Sequence, residues 1–239
     1  MRAQSPVTRV RAAPEPGGRT VAAADAARRS RRERDQPVTT AEPELTPTKL
    51  ALRRTVRAQR EGRSEQERER LARRIAMVAL ELPAIRRARC VAAYGSLPEE
   101  PGTGPLRAAL RARGTRVLLP VVVDDKSLDW AEDEGELVAA PGGLRLPEPA
   151  GPRLGSGALT EAEVVIAPAL AVDATGARLG QGRGYYDRAL LDVGPGVLVL
   201  ALVFDEEVLD PSTPIPADPH DVAVHGAVTP SRWMFFREL

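Results

Sequence analysis

Three glycines, two arginines and an aspartate crowd into the stretch Arg178-Leu179-Gly180-Gln181-Gly182-Arg183-Gly184-Tyr185-Tyr186-Asp187. Glycine loses more backbone entropy on folding than any other residue, so such a cluster is kept where the backbone itself has work to do. Alternating glycines let successive N–H groups turn toward one anion, and they remove the Cβ atoms that would hold a phosphate away. Arg178 and Arg183 add forked phosphate donors, and Asp187 adds an oxygen of the kind Mg²⁺ prefers. The chemistry predicted is a phosphate-binding loop beside a metal-binding acid. Neither common nucleotide fingerprint fits. A Walker A loop needs Lys-Ser/Thr after its last glycine, where Tyr185-Tyr186 stand. A dinucleotide loop needs a glycine where Tyr185 stands.

Other residues could join this chemistry. Lys49 and Arg53 stand four apart, hence on one face of a helix. That spacing alone suits a solvated basic face as well as a phosphate contact. Glu100 follows an apolar run in a loop beginning Gly95-Ser96. Tyr185 and Tyr186 offer aromatic faces with hydroxyls, or simply pack the start of a helix. His220 and His225 are the two histidines, and neither has a metal-ligand partner at useful spacing. No Ser-His-Asp or Cys-His set can be assembled, so the chain offers charges for positioning and no covalent nucleophile.

These residues need elements to hold them. Thr46-Pro47 predicts a helix cap and first turn, with the helix running to Gly62. Ser64-Glu65-Gln66-Glu67 is a capping box, after which Leu71, Ile75, Val78 and Leu82 recur at helical spacing until Pro83. Strands are predicted over 90–94, 116–123, 128–130, 164–166 and 197–204, with a weaker one at 222–228. Helices are expected over 105–113 and 185–191, and loop over 141–157. Strands that alternate with helices and are apolar throughout indicate an α/β fold, with a mostly parallel sheet covered by helices on both faces. Ligands in such sheets bind beyond the carboxyl ends of the strands, so the loops after residues 94 and 172 should line one cleft.

Composition bounds the rest. Residues 1–44 hold nine of the 34 basic and six of the 33 acidic residues, with many alanines and prolines. They carry too little apolar surface to offset chain entropy and read as a disordered tail ahead of one domain, 45–239. That domain keeps 25 basic and 27 acidic residues, so it is nearly neutral. Arg28-Arg29-Ser30-Arg31-Arg32 could touch nucleic acid, but a solvated extension is the simpler reading, and no nucleic-acid partner is expected for the core activity. No apolar run reaches membrane-spanning length and the tail has no secretory h-region, so no membrane partner is expected. Cys90, the single cysteine, rules out an internal disulfide and points to a reducing cytoplasm.

The string R-L-G-x-G-x-G-Y-Y-D, present whole at 178–187, resembles the signature of the 5-formyltetrahydrofolate cyclo-ligases, or methenyltetrahydrofolate synthetases. The resemblance runs from about Thr46 to Thr229. It implies a fold like those of sugar-phosphate isomerases and CoA-transferases. It also implies ATP- and Mg²⁺-dependent closure of 5-formyltetrahydrofolate. By the same resemblance Lys49 and Arg53 contact ATP phosphates. Arg178, Gly180, Gln181, Gly182, Arg183, Gly184 and Tyr186 complete the nucleotide site. Gly95, Glu100 and Tyr185 hold the folate, and Asp187 and Asp221 hold Mg²⁺. Lys49, Arg178 and Asp187 carry the catalysis. Three departures bear on folate affinity: Val172 replaces an aromatic residue, His225 stands where relatives often have an aspartate, and the loop 97–104 is rich in Pro and Gly.

Overall fold

The computed structural model describes residues 48–123, 127–140 and 146–237. The predicted tail, Thr46-Pro47 and part of the predicted loop 141–157 lie outside these residues. The first helix, α1 (Lys49–Glu61), is capped by Thr48, whose side chain accepts from the Ala51 N–H at 3.2 Å. The cap is therefore Thr48 and not Thr46, because its hydroxyl reaches a free amide of the first turn. Leu52 and Val56 pack onto Leu170, Leu179 and Ile215. The neighbouring stripe, Lys49, Arg53 and Arg57, is thereby left facing the segment after residue 168.

Ser64 caps α2 (Glu65–Glu81) by accepting from the Glu67 N–H. Pro83 ends that run and also opens α3 (Pro83–Arg87), since the amide it lacks is one the first turn leaves free. Next come β1 (Cys90–Ala92), α4 (Gly104–Ala112), β2 (Arg116–Val122) and β3 (Leu128–Glu132). A two-stranded ribbon follows, β4 (Leu137–Ala139) and β5 (Pro147–Pro149), and β5 lies within the predicted loop 141–157. Beyond a 3₁₀ turn lie β6 (Val164–Pro168), the hairpin β7 (Ala171–Val172) and β8 (Arg178–Leu179), and α5 (Tyr185–Ala189). The chain closes with β9 (Leu198–Leu202), β10 (Gly226–Val228) and β11 (Trp233–Phe235).

The central sheet has the order β11-β10-β9-β6-β1-β2-β3. Its five inner strands are parallel, and β3 and β11 join antiparallel at the two edges. Successive residues divide between two layers, as pleating requires. Val91, Val117, Val164, Ile166 and Leu200 meet α2, α3 and α4. Cys90, Ala92, Leu118, Val165, Val199 and Ala201 meet α5 and the 3₁₀ segments on the other face. Burial on both faces explains why these strands read as continuous apolar runs.

Chain order reverses between β1 and β6. From β1 the chain moves to β2 on one side, and from β6 it moves to β9 on the other. The connections therefore diverge beyond the carboxyl ends of this pair, which is where open α/β sheets bind ligands.

Candidate active site

A cavity of about 650 Å³ opens at that divergence. Every residue given a site role from sequence lines it: Lys49, Arg53, Gly95, Glu100, Arg178, Gly180, Gln181, Gly182, Arg183, Gly184, Tyr185, Tyr186, Asp187 and Asp221. They arrive from α1, the loop after β1, the segment from β8 into α5, and the loop before β10. The glycines act in two ways. Gly182 and Gly184 have φ of +95° and +69°, a region that side chains with a Cβ avoid. Gly95 is needed for close approach, because a Cβ there would lie 2.4 Å from the Pro147 carbonyl oxygen.

Helix α1 braces the glycine loop. Arg53 Nε donates to the Gly180 carbonyl at 2.9 Å, and Arg57 donates to the Gln181 side-chain oxygen at 2.8 Å. Gln181 in turn donates to Glu100 Oε1 at 3.3 Å, which ties the loop to the segment after β1. Lys49 Nζ sits between Asp218 and Asp221, at 2.6 and 2.5 Å. Burial would lower the Lys49 pKa, but its hydrogen bonds and the charges of both aspartates outweigh burial and raise it. Burial would raise the Asp221 pKa, but the Asp218 N–H and Lys49 bring it below the usual carboxylate value.

Arg178 is 3 % exposed, donates to Asp187 Oδ1 at 2.6 Å and to the Pro168 carbonyl at 3.2 Å, and lies over the Tyr186 ring. Its Nε and the Tyr186 hydroxyl are both buried with no hydrogen-bond partner. Burial pushes the Tyr186 pKa up, so the hydroxyl stays a donor. Two orphaned donors at the wall suit an oxygen-rich ligand, since a buried polar group left unsatisfied costs about 1–3 kcal/mol. Burial also raises the Glu100 pKa, and the Leu97 N–H and Gln181 amide temper the shift.

Asp187 and Asp221 keep about a quarter of their side-chain surface open. No cluster of three or more Asp, Glu, His or Cys side chains that could hold a metal occurs among the described residues. A magnesium ion needs none, because it is usually held by one or two carboxylates together with substrate phosphates and water. These two acids beside the cations of α1 fit that donor set.

Three charged lining residues were not anticipated from sequence: Arg57, Glu148 and Asp218. Arg57 continues the spacing of Lys49 and Arg53 by one more turn and could have been found. Glu148 sits in β5, hidden in a Pro-Glu-Pro string that reads as punctuation. Asp218 lies three residues before Asp221, and the sequence does not say which acid faces inward. Two of the departures lie away from the cavity. Val172 is fully buried in the core beneath the sheet, and His225 Nδ1 accepts the Val199 N–H at 3.0 Å.

By sequence the chain is similar to a 5-formyltetrahydrofolate cyclo-ligase of Mycolicibacterium smegmatis. It is 46 % identical over 150 residues, spanning 60 % of this chain and 75 % of that protein. The solved 5,10-methenyltetrahydrofolate synthetase of Aquifex aeolicus superposes with a TM-score of 0.66 at 27 % identity, over 80 % of this chain and 94 % of that one. The synthetase of Mycoplasma pneumoniae shares the fold, with a TM-score of 0.59 at 20 % identity over 75 % and 97 % of the two chains. Residues 45–230 match the family profile from α1 through β10, and the chain belongs to the 5-formyltetrahydrofolate cyclo-ligase family of enzymes.

Proposed function

We propose that this protein converts 5-formyltetrahydrofolate to 5,10-methenyltetrahydrofolate in an ATP- and Mg²⁺-dependent reaction that releases ADP and phosphate. The observation that carries the proposal is the meeting, in one cavity, of the α1 cations, the positive-φ glycine loop and the acids Glu100, Asp187 and Asp221. Phosphate binders and carboxylates are what this reaction needs, and a covalent nucleophile is not.

A formamide carbonyl does not surrender its oxygen to an internal amine. The formyl oxygen attacks the γ-phosphorus, an O–P bond forms, and ADP leaves. N10 then attacks the activated formyl carbon, the C–O bond breaks, phosphate departs, and the N10 proton passes to solvent. Lys49, Arg178 and the loop amides of 180–184 neutralise charge on the transferring group, with Arg53 and Arg183 on the remaining phosphates. Asp187 and Asp221 would hold Mg²⁺, which would supply positive charge to offset that of the phosphate oxygens. Gly95, Glu100 and Tyr185 hold the folate with N10 near the formyl carbon, and Tyr186 donates to the nucleotide. Positioning of this kind removes much of the entropic barrier.

Nothing in the scheme uses nucleic acid or a membrane, and no described helix is long and apolar enough to cross one. A cytoplasmic setting suits the folate substrate and Cys90, a buried thiol whose pKa burial pushes up to about 11, leaving it unreactive. The test is the rise in methenyl absorbance with purified protein, with and without ATP and Mg²⁺. Product that forms equally without nucleotide, or absence of product with every adenine nucleotide tried, refutes the proposal.

A further inference from the structure

Glu148 is a buried acid that the scheme above leaves unused. Proline fixes its own φ and drives the preceding residue into extended backbone, so Pro149 holds Glu148 extended. Strand β5 pairs with β4 through Val138 and Glu148. On its other side the Pro147 carbonyl presses against Gly95 so closely that no Cβ fits between them. The backbone of Glu148 is therefore fixed before any ligand arrives.

Its side chain lines the cavity, and the residue is 4 % exposed. Oε1 accepts the Val122 N–H at 2.8 Å. That is its one hydrogen bond, and it has no ion pair, among the described residues. Glu100 differs: Leu97 and Gln181 each donate to one of its two oxygens. Acids this buried are rarely left without a partner, because losing water costs several kcal/mol unless donors replace it. Around Glu148 the lining is apolar, with Pro120 and Val122 on β2 and Leu128 paired opposite Val122 on β3. Low polarity there strengthens any hydrogen bond the acid makes.

We propose that Glu148 receives the amino-pyrimidinone edge of the folate, resting on the reading of the cavity given above. That edge presents a ring N–H and an exocyclic amino group side by side. Oε2 and the remaining lone pair of Oε1 accept these two donors, while the apolar side chains flank the flat ring. A carboxylate paired with two parallel N–H groups combines strength with geometric selectivity. Glu148 thereby sets specificity for the heterocycle.

The test compares wild type with Glu148→Gln, which keeps an acceptor for the Val122 N–H but turns a donor toward the ligand's donors. Binding of 5-formyltetrahydrofolate is titrated together with that of its 2-desamino-2-methyl analogue, and a non-hydrolysable ATP analogue reports the nucleotide side. Glu148→Gln is expected to weaken folate roughly 10- to 150-fold, the scale of hydrogen bonds to a charged group, and to leave nucleotide binding within twofold. The analogue keeps the ring N–H but lacks the amino group, so it is expected to lose clearly less than folate does. Glu148→Asp, which keeps the charge but withdraws it, is expected to fall between wild type and Glu148→Gln and serves if the glutamine variant misfolds. Folate binding unchanged in Glu148→Gln, with wild type active, overturns this inference alone. Equal losses for folate and analogue also overturn it. A wild-type protein that binds no folate overturns the reading of the cavity and this inference together.

Discussion

Replacing Arg60 by alanine tests whether the cavity rests on a buried ion pair. Arg60 follows Leu52 and Val56 on the buried face of α1, 2 % exposed, against Glu207 at 1 %. Nε and Nη2 donate to the two Glu207 oxygens at 2.7 and 2.8 Å, and Nη2 also donates at 2.7 Å to the carbonyl of Ala169, a cavity residue. Arg60→Ala leaves a buried carboxylate uncompensated and a carbonyl without its donor. Breaking one partner of such a pair costs about 3–5 kcal/mol. In a domain of roughly 150–250 residues each kcal/mol moves Tm by about 2–4 °C, so the expected fall is roughly 6–20 °C. The double variant Arg60→Met/Glu207→Leu removes both charges together and should recover most of that loss, because an apolar pair of similar volume is often neutral or better. The assay is thermal unfolding by circular dichroism, with kcat/KM measured at a temperature where each variant is folded. A single variant within about 1 kcal/mol of wild type, or a double variant no better than the single, would refute the reasoning.

Asp187→Ala should lower kcat on the order of 10²-fold or more, and Lys49→Ala should raise the KM for ATP, in steady-state kinetics with each substrate varied in turn. Glu100 has a folded pKa above its ordinary value, so ionised Glu100 opposes folding at neutral pH and that cost fades as pH falls through the folded pKa toward 4.5. Glu100→Gln should therefore raise Tm at pH 7–8, with a gain that shrinks on acidification, while folate affinity drops. A gain that grows toward low pH contradicts the assignment. Removing residues 1–44 should leave both Tm and kcat/KM unchanged within twofold, and a several-fold loss on truncation would give the tail a role.

Much of this architecture is legible in the sequence because its periods are unambiguous. The parallel strands are apolar at every position but Arg116, which opens β2, and α1 shows cations and aliphatics at 3.6-residue spacing. The glycine loop is legible because only backbone demands explain its composition. What escaped was short or non-local. Strands β7 and β8 have two residues each, too few to show alternation. Strand β5 is bracketed by prolines, which elsewhere mark loops. Arg60 and Glu207 lie 147 positions apart, so nothing near either residue announces the other. Asp218 and Glu148 look like ordinary loop acids until the fold gives them neighbours.

On the proposed reaction, Lys49, gripped by Asp218 and Asp221, would make the site a filter for the form of nucleotide admitted. Uncomplexed triphosphate can recruit the ammonium only by leaving two carboxylates bare beside its own negative charge. A nucleotide that arrives with its divalent ion brings a replacement cation, and the exchange leaves the local charge balanced. Free phosphate, pyrophosphate and metal-free ATP should therefore compete poorly. By reciprocity, nucleotide and ion would each tighten the other's hold by the same factor.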